Sequence, residues 1–319
     1  MINTSNRGVV TTNRAEELRA ELAFKVAQLI GPAEKLATPI PRLTLHRRTA
    51  PTAPCPATYE PSVIVIAQGR KQVEIGNNRL TYDPSRYLLT SVDLPIVSRV
   101  VQASESLPCL ALMLKLDISI VREFLSREEF HALDLPVESS AMSTGKVTAE
   151  FLGAWCRLLD LFSTPEDIPF LSGFIEREII YRILRGPEGA RLRAIATVGD
   201  QSHRTARAIA WIKANYTKPL RVEDLADLAG MAVSTLHHHF RALTAMSPLQ
   251  YQKQVRLQAA RARMLADDVD AATVAFEVGY ESASQFNREY RRLFGQPPVR
   301  DIRALRAPDA PRLELASAV

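Results

Sequence analysis

Two stretches near the carboxyl end of the chain are copies of one pattern, and that repetition restricts the fold more than any other feature. Leu225-Ala226, Gly230, Leu236, Phe240-Arg241, Leu243 and Pro248 return as Val274-Ala275, Gly279, Phe286, Tyr290-Arg291, Leu293 and Pro298. The offset is 49 residues up to the glycine and 50 beyond it, so the second copy carries one extra turn residue. A short helix, a glycine able to take positive φ, and a second helix opened by small polar residues make a helix-turn-helix. Ala226 and Ala275 are small enough for the second helix to cross closely over the first. Leu236, Phe240 and Leu243 fall at i, i+4 and i+7, as do Phe286, Tyr290 and Leu293, so each second helix has one core-facing stripe. Residues 249–265 between the copies read as a single helix, about 25 Å long at 1.5 Å per residue.

The core stripe decides what points outward. On the first of these helices it leaves Ser234, Thr235, His237, His238 and Arg241; on the second, Ser282, Ala283, Ser284, Gln285, Asn287 and Arg288. Small and hydrogen-bonding side chains of this kind suit base edges and phosphates. The joining helix plus the width of each unit would set the two ~34 Å apart, one turn of a duplex, so one chain could meet two successive major grooves. Arg241, Arg291 and Arg292 are expected at phosphates and Arg288 at a base, most naturally guanine. Charge points the same way. The net charge is +5; residues 1–199 hold 23 basic and 22 acidic side chains, residues 200–319 hold 17 and 13. Residues 228–266 contain no Asp or Glu but do contain Arg241, Lys253, Arg256, Arg261 and Arg263, as expected of a surface that meets polyanions. A helical bundle without nucleic acid is the alternative. The run His237-His238-His239 does not read as a metal site, because adjacent helical side chains diverge by about 100°. His239 is expected to turn inward, and charging of the other two below about pH 6.5 to raise DNA affinity modestly.

The amino-terminal part has a different texture. Residues 14–30 read as an amphipathic helix with Leu18, Leu22, Val26 and Leu29 on one side and Asn13 as its cap. Six prolines within residues 37–61 exclude a long helix there. From Ser62 to Leu116, short apolar runs separated by Gly69, Gly76-Asn77-Asn78 and other turn residues predict a small β-barrel or sandwich. A helix is expected from Asp117 through Phe130. Two more follow at 147–162 and 169–184, the second with Phe170, Phe174, Ile175, Ile179 and Ile183 along one side, either completing the core or joining two copies. Residues 186–199 are the expected linker.

Residues 200–306 resemble the DNA-binding domain of AraC/XylS-family transcription regulators, most specifically through Ala275-Phe276-Glu277-Val278-Gly279-Tyr280-Glu281-Ser282 and Phe286-Asn287-Arg288-Glu289-Tyr290-Arg291-Arg292-Leu293-Phe294-Gly295-Gln296-Pro297-Pro298. The resemblance implies base contacts from Ser234, His237 and His238 and from Ala283, Ser284 and Arg288. Ala283 departs from the pattern, since alanine offers only a methyl group. Arg221 departs too, standing where the family often has a capping Ser or Thr, whereas Asp270 can cap the second motif. The segments Thr38-Pro39-Ile40-Pro41-Arg42-Leu43, Tyr59-Glu60-Pro61-Ser62-Val63-Ile64-Val65-Ile66-Ala67-Gln68-Gly69-Arg70-Lys71 and Thr81-Tyr82-Asp83-Pro84-Ser85-Arg86-Tyr87-Leu88-Leu89-Thr90-Ser91-Val92-Asp93-Leu94-Pro95 are similar to the N-terminal domain of one AraC-type subgroup. That likeness implies a cupin-like barrel that senses a small molecule or mediates dimerisation. The expected fold is therefore α+β: an N-terminal cupin-like β-barrel with flanking helices, followed by an all-α domain of two helix-turn-helix motifs. The expected divisions are 1–190 regulatory, 200–306 DNA-binding and 307–319 a flexible tail. Double-stranded promoter DNA and RNA polymerase are the implied macromolecular partners, with a small-molecule effector and a second copy of the chain as further candidates. A ligand-independent architectural protein is the other reading in play.

Enzymatic classes find little support. Residues 37–116 hold a single histidine, His46, too few for a metal cupin, and GxSxG, HExxH and Gly-rich phosphate loops are missing from the sequence. No cofactor is expected. Cys55, Cys109 and Cys156 match no zinc or redox spacing. Cys109 and Cys156 are expected to be buried, and Cys55, among prolines, exposed and the better candidate for thiol sensing. The apolar runs are all far shorter than the ~18–20 residues of a membrane span, and the expected location is the cytoplasm.

Overall fold

The structure is a computed structural model that describes residues 5–127, 130, 140–267 and 269–306. The tail expected at 307–319 lies outside the described residues.

Helix α1 (Ser5–Ile30) buries Leu18, Leu22, Val26 and Ile30, which recur every fourth residue. The proline-rich segment that follows is extended: β1 (Lys35–Ala37), β2 (Leu43–Arg48) and β3 (Cys55–Tyr59). Pro56 is tolerated because β3 is an edge strand, where a missing N–H costs no ladder bond. Then come β4 (Ser62–Gln68), β5 (Arg70–Ile75), β6 (Asn78–Tyr82), β7 (Arg86–Thr90), β8 (Leu94–Gln102) and β9 (Cys109–Lys115), each on a run expected to be β. A later strand, β10 (Met142–Lys146), was not foreseen; Met-Ser-Thr-Gly-Lys shows no alternation, and its position follows from backbone pairing with β7.

Among the described residues the strands form two antiparallel sheets, β1-β2-β9-β4-β7-β10 and β3-β8-β5-β6. The sheets face each other across an apolar interior that includes Ile64, Ile66 and Leu88 from one and Val73, Ile75 and Ile96 from the other. The outer face of the larger sheet (Val63, Val65, Leu112, Leu114) is covered by helices. These are α1, α2 (Ile118–Leu125), α3 (Ala149–Asp160) and α4 (Ile168–Arg185). Asp117 caps α2 and Thr148 caps α3 through their side chains. Helix α2 stops short of the expected Phe130.

Two expectations are corrected here. The stripe foreseen on α4 divides: Ile179 and Ile183 enter the core with Ile180 and Leu184, whereas Phe170 and Phe174 face solvent. Nine residues separate Phe170 from Ile179, and nine steps of 100° amount to two and a half turns, which puts them on opposite faces. The expected linker is not one. Residues 189–196 form α5 (Gly189–Ala196), whose eight residues are all buried, and Arg193 Nη1 donates to the Leu184 carbonyl at 2.6 Å. Leu192 joins the core behind the larger sheet, and Ile195 joins the core between the sheets. Helices of seven residues or more are the remaining elements of the described residues: α6 (Gln201–Ala214), α7 (Val222–Ala229), α8 (Val233–Thr244), α9 (Pro248–Ala266), α10 (Ala271–Glu277), α11 (Ala283–Phe294) and α12 (Pro298–Arg306).

The core between the sheets continues without interruption into α6, α7 and α8 through Ile209, Ile212, Leu225, Leu236 and Phe240. The last helices have their own core, with Leu257, Val274, Phe286 and Tyr290. One fully buried ring therefore belongs to both the β-domain cluster and the first helix-turn-helix. Phe240→Ala is expected to cost about 3–5 kcal/mol. It should shift the denaturant midpoint of both units together, read separately by Trp155 and by Trp211 in variants that keep one tryptophan each.

Candidate nucleic-acid interface

The first unit turns at Gly230, which closes α7 in the left-handed region at φ +64°. The second turns at Gly279, at φ +91°, where a Cβ would lie 2.2 Å from the Thr217 carbonyl oxygen. No side chain other than glycine's hydrogen fits there, so the turn of the second unit is pressed onto the loop of the first. Three carbonyls of that loop point at α9. Tyr216 O accepts from Gln252 Nε2 (3.1 Å) and Arg256 Nε (2.6 Å), Lys218 O accepts from the same two side chains (2.8 and 2.9 Å), and Thr217 O accepts from Arg256 Nη2 (3.3 Å). Burial lowers the Arg256 guanidinium from its ordinary value. Helix α9 itself opens on a capping box between Ser247 and Gln250, with Pro248 in its first turn.

A buried charge network holds the second unit together. Arg261 Nε and Nη2 reach the two Asp301 oxygens at 2.8 and 2.9 Å, and Tyr290 Oη donates to Asp301 Oδ2 at 2.7 Å. Arg261 also stacks on Phe294, 4.3 Å from the ring centre. Burial first, then Asp301, pushes the Tyr290 phenol far above its usual value.

The acid-free stretch of sequence is not acid-free in space. Lys253 pairs with Glu289 at 2.7 Å, Arg263 with Glu277 at 3.3 Å and with Asp267, and Arg261 with Asp301. Glu277, Glu289 and Asp301 arrive from α10, α11 and α12, and Asp267 is the C-cap of α9 itself. Burial works against ionised Glu289, but Lys253, Tyr280 and Gln285 outweigh it and hold the carboxyl below its usual range. Of the five basic residues of that stretch, Arg241 alone is exposed with neither an ion-pair nor a hydrogen-bond partner among the described residues. Arg288, Arg291 and Arg292 are in the same condition on α11.

The residues expected from the repeat to point outward lie mostly on exposed helix faces. Ser234, His237, His238 and Arg241 are exposed on α8, Thr235 is half-buried, and His239 turns partly inward with its ring 5.2 Å from that of His238. Ser284, Gln285, Asn287, Arg288 and Arg291 are exposed on α11, and Ala283 is half-buried. Ser282 precedes α11, and its hydroxyl accepts from Gln285 N as the cap. Asp270 caps α10 by accepting from Ala272 N and Thr273 N, while Arg221 gives α7 no side-chain cap. Leu236, Phe240, Phe286 and Tyr290 are buried, and Leu293 partly so.

The β-domain is tied to the first unit by charge as well as by the shared core. Lys213 Nζ on α6 donates to Glu60 (2.9 Å) and Asp93 (2.6 Å), Tyr251 Oη on α9 donates to the Asp93 carbonyl (2.9 Å), and Ala141 N donates to the Leu243 carbonyl (3.0 Å). Burial alone would lower Lys213, but Asp93 and Glu60 hold its ammonium above the ordinary value. Burial holds the Asp93 carboxyl above its usual range. Glu60 is also opposed by burial, yet Lys115 and Lys213 hold it below. Cys109 and Cys156 are buried, and burial pushes the Cys156 thiol up to about 11. Cys55 is half-buried on β3 rather than exposed, 3.9 Å from Arg261 Nη1.

Comparison with known proteins agrees with this geometry. The family described as the AraC-type transcriptional regulator N-terminus matches residues 39–191, and a helix-turn-helix domain family matches residues 225–304. The chain belongs to the AraC/XylS family of transcriptional regulators. Among its relatives in that family, the transcriptional activator RhaS of Pectobacterium carotovorum is 28% identical over 100 residues, 31% of this chain and 36% of that protein. RhaS of Yersinia pestis (strain Pestoides F) is 30% identical over 105 residues, 33% of this chain and 38% of that protein. The chain thus spans little more than a third of the length of these curated relatives. ToxT from Vibrio cholerae O395, solved with (E)-4-(8-methylnaphthalen-1-yl)but-3-enoic acid, aligns with a TM-score of 0.54 at 12% identity, covering 82% of this chain and 97% of that one. ToxT from strain SCE256, solved with an unsaturated fatty acid, aligns with a TM-score of 0.53 at 11% identity, covering 82% and 94%. These likenesses establish the shared fold: an antiparallel sheet domain followed by helical helix-turn-helix units.

In this AraC/XylS-family chain the exposed faces of α8 and α11 were legible in the sequence, but their supports were not. Gln252, Arg256, Arg261 and Asp301 carry no periodic signal of their own. The one hint was a helix with too many arginines for its acids. Removing one partner of a buried pair strands the other charge. Asp301→Ala is expected to cost about 3–5 kcal/mol in denaturant unfolding, whereas Arg261→Met combined with Asp301→Leu should recover most of that loss.

Proposed function

We propose that this chain is a sequence-specific, effector-responsive regulator that reads two successive major grooves of promoter DNA, α8 in one and α11 in the next. The observation that carries the reading is the rigid pairing of two exposed reader helices, joined by α9 and locked by Arg256 and Gln252. The 19 residues of α9 span about 28 Å at 1.5 Å per residue. With the width of the packed units, that suits grooves one turn, ~34 Å, apart.

Roles follow from position and chemistry. Ser234, Thr235, His237 and His238 on α8, and Ala283, Ser284, Gln285 and Arg288 on α11, face base edges; Ala283 contributes no more than a methyl contact. Arg241, Arg291 and Arg292, whose guanidinium groups have no ion-pair partner among the described residues, neutralise phosphates. Ser282, spent on the helix cap, sets the entry of α11 and contacts the backbone of the duplex. Residues 1–190 are the regulatory part and 200–306 the reading part. The fold likeness to ToxT, solved with fatty-acid and butenoic-acid ligands, supports an effector acting on the amino-terminal part. Its message reaches the readers through Lys213, Asp93, Glu60 and the shared core, provided that the effector prefers one of two arrangements of that junction. RNA polymerase is the partner through which bound protein alters transcription.

Selection from a random duplex pool by the full chain tests this. A two-part motif should emerge with its halves one helical turn apart, and affinity for it should fall steeply with salt. On that motif Arg288→Ala should lose about 5- to 150-fold, equivalent to about 1–3 kcal/mol, and lose far less on random duplex. A pool that never enriches would contradict the reading, and an equal loss on both duplexes would show that Arg288 contacts the backbone alone.

A further inference from the structure

Behind the larger sheet, where α4 passes the turn that leads into β2, there is a cavity of about 140 Å³. Ile40 and Pro41 from the turn, Leu114 from β9, Leu158 from α3 and Pro169 from α4 give it apolar walls. One side is polar. Ser172 and Glu176 stand there, four residues apart and so on one face of α4. Both are more than nine-tenths buried, at 8% and 5% exposed. The cavity lies outside the space between the two sheets, since Ile40, Leu114 and Leu158 belong to the core behind the larger one.

Glu176 is only half satisfied. Its Oε2 accepts from Arg42 Nη2 at 2.6 Å, while Oε1 is buried and accepts from no donor among the described residues. A buried oxygen without a donor is costly, and an ionised carboxylate more so. Arg42 does not neutralise it alone, because the same guanidinium also serves Asp117 at 3.2 Å. One cation is shared between two carboxylates. Burial accordingly holds the Glu176 carboxyl above its usual range, against the pull of Arg42. Arg42 takes its bridging place with a left-handed backbone, φ +65°, that residues other than glycine rarely adopt. Ser172 adds a second acceptor: its hydroxyl donates to the Ile168 carbonyl at 2.6 Å, which leaves the lone pairs of the oxygen to accept.

The polar side thus offers acceptors and a surplus negative charge. An ammonium is the matching group, with three donors, no acceptor and one positive charge. We propose that this cavity binds a small primary alkylammonium, its nitrogen at Glu176 and Ser172 and its chain along the apolar walls. At about 30 Å³ per liquid water, 140 Å³ has room for an amine of about five non-hydrogen atoms. An anion would meet Glu176 with like charge. The exposed lining residues Pro41, Pro169 and Gly173 mark the mouth. Glycine is unfavourable inside a helix, and a Cβ at Gly173 would meet no atom within 4 Å, so nothing within the chain excludes a side chain there. Its absence keeps the mouth clear.

A saturation-transfer NMR titration of the full chain with n-butylammonium chloride, at constant ionic strength, tests the site. n-Butanol and butyrate are the matched probes. Butylammonium should bind saturably and about tenfold or more tighter than butanol, and butyrate should not bind. Glu176→Gln keeps the shape, removes the charge and should weaken butylammonium roughly 10- to 150-fold. Gly173→Leu should abolish binding by filling the mouth, with a melting curve close to that of the wild type because the position is exposed. Should Glu176→Gln fail to fold, Gly173→Leu decides the matter. Nα-acetyl-lysine methylamide carries the same ammonium on a chain tied to a backbone and should bind more weakly than butylammonium. Tighter binding of the lysine derivative would overturn a free amine in favour of a lysine side chain from another protein. Butylammonium that does not bind, binds no better than butanol, or binds unchanged after either substitution would overturn the site.

Discussion

Three consecutive backbone carbonyls, of Tyr216, Thr217 and Lys218, converge on the side chains of Gln252 and Arg256. Carbonyls at a packed loop need donors, and a guanidinium supplies several in a fixed fork. Because both donors project from α9, the loop between α6 and α7 is registered against the rod that carries the second unit. The Gly279 turn, pressed against Thr217, closes the same contact from the other side. Two short helix-turn-helix units with small cores would otherwise be free to swing about a single helix. The placement of α11 relative to α8 depends on this junction.

The β-domain adds a second constraint on one unit. The first helix-turn-helix shares its hydrophobic core with the interior of the two sheets, and Lys213 bridges Glu60 and Asp93 across the boundary. The second unit keeps a core of its own and meets the sheets mainly at β3. Any change in the sheets is therefore felt at α6 and α8 through the shared core, and at the second unit through α9 and the smaller contact with β3. The buried helix α5 makes this coupling stiff, since the chain passes from one part to the other through packed core rather than through free linker.

The repeat made the fold of the last hundred residues legible, because a helix-turn-helix is specified locally: a periodic stripe, a glycine, a cap. Strands β4 to β9 were legible for the same reason. What escaped was set by partners distant in sequence. Strand β10 has no alternation and is defined by pairing to β7. Helix α5 looked like linker because Gly189, Arg191 and Arg193 outweighed Leu192 and Ile195, whose burial comes from two separate cores. The basic stretch at 228–266 looked like a polyanion surface, yet Glu277, Glu289 and Asp301 fold back onto it and leave Arg241 as its open cation. The phenylalanines of α4 were misassigned by a periodicity error of half a turn, and that error concealed the exposed face.

The claim at the centre is that one stiff junction sets two readers a fixed distance apart, matched to neighbouring grooves of one duplex. The most direct measurement is the affinity of the full chain for its selected duplex after insertion of about five base pairs, half a helical turn, between the two halves of the motif. The account predicts that affinity drops to that for one half alone, since the second reader then faces the wrong side of the helix. Affinity unchanged by the insertion would contradict it.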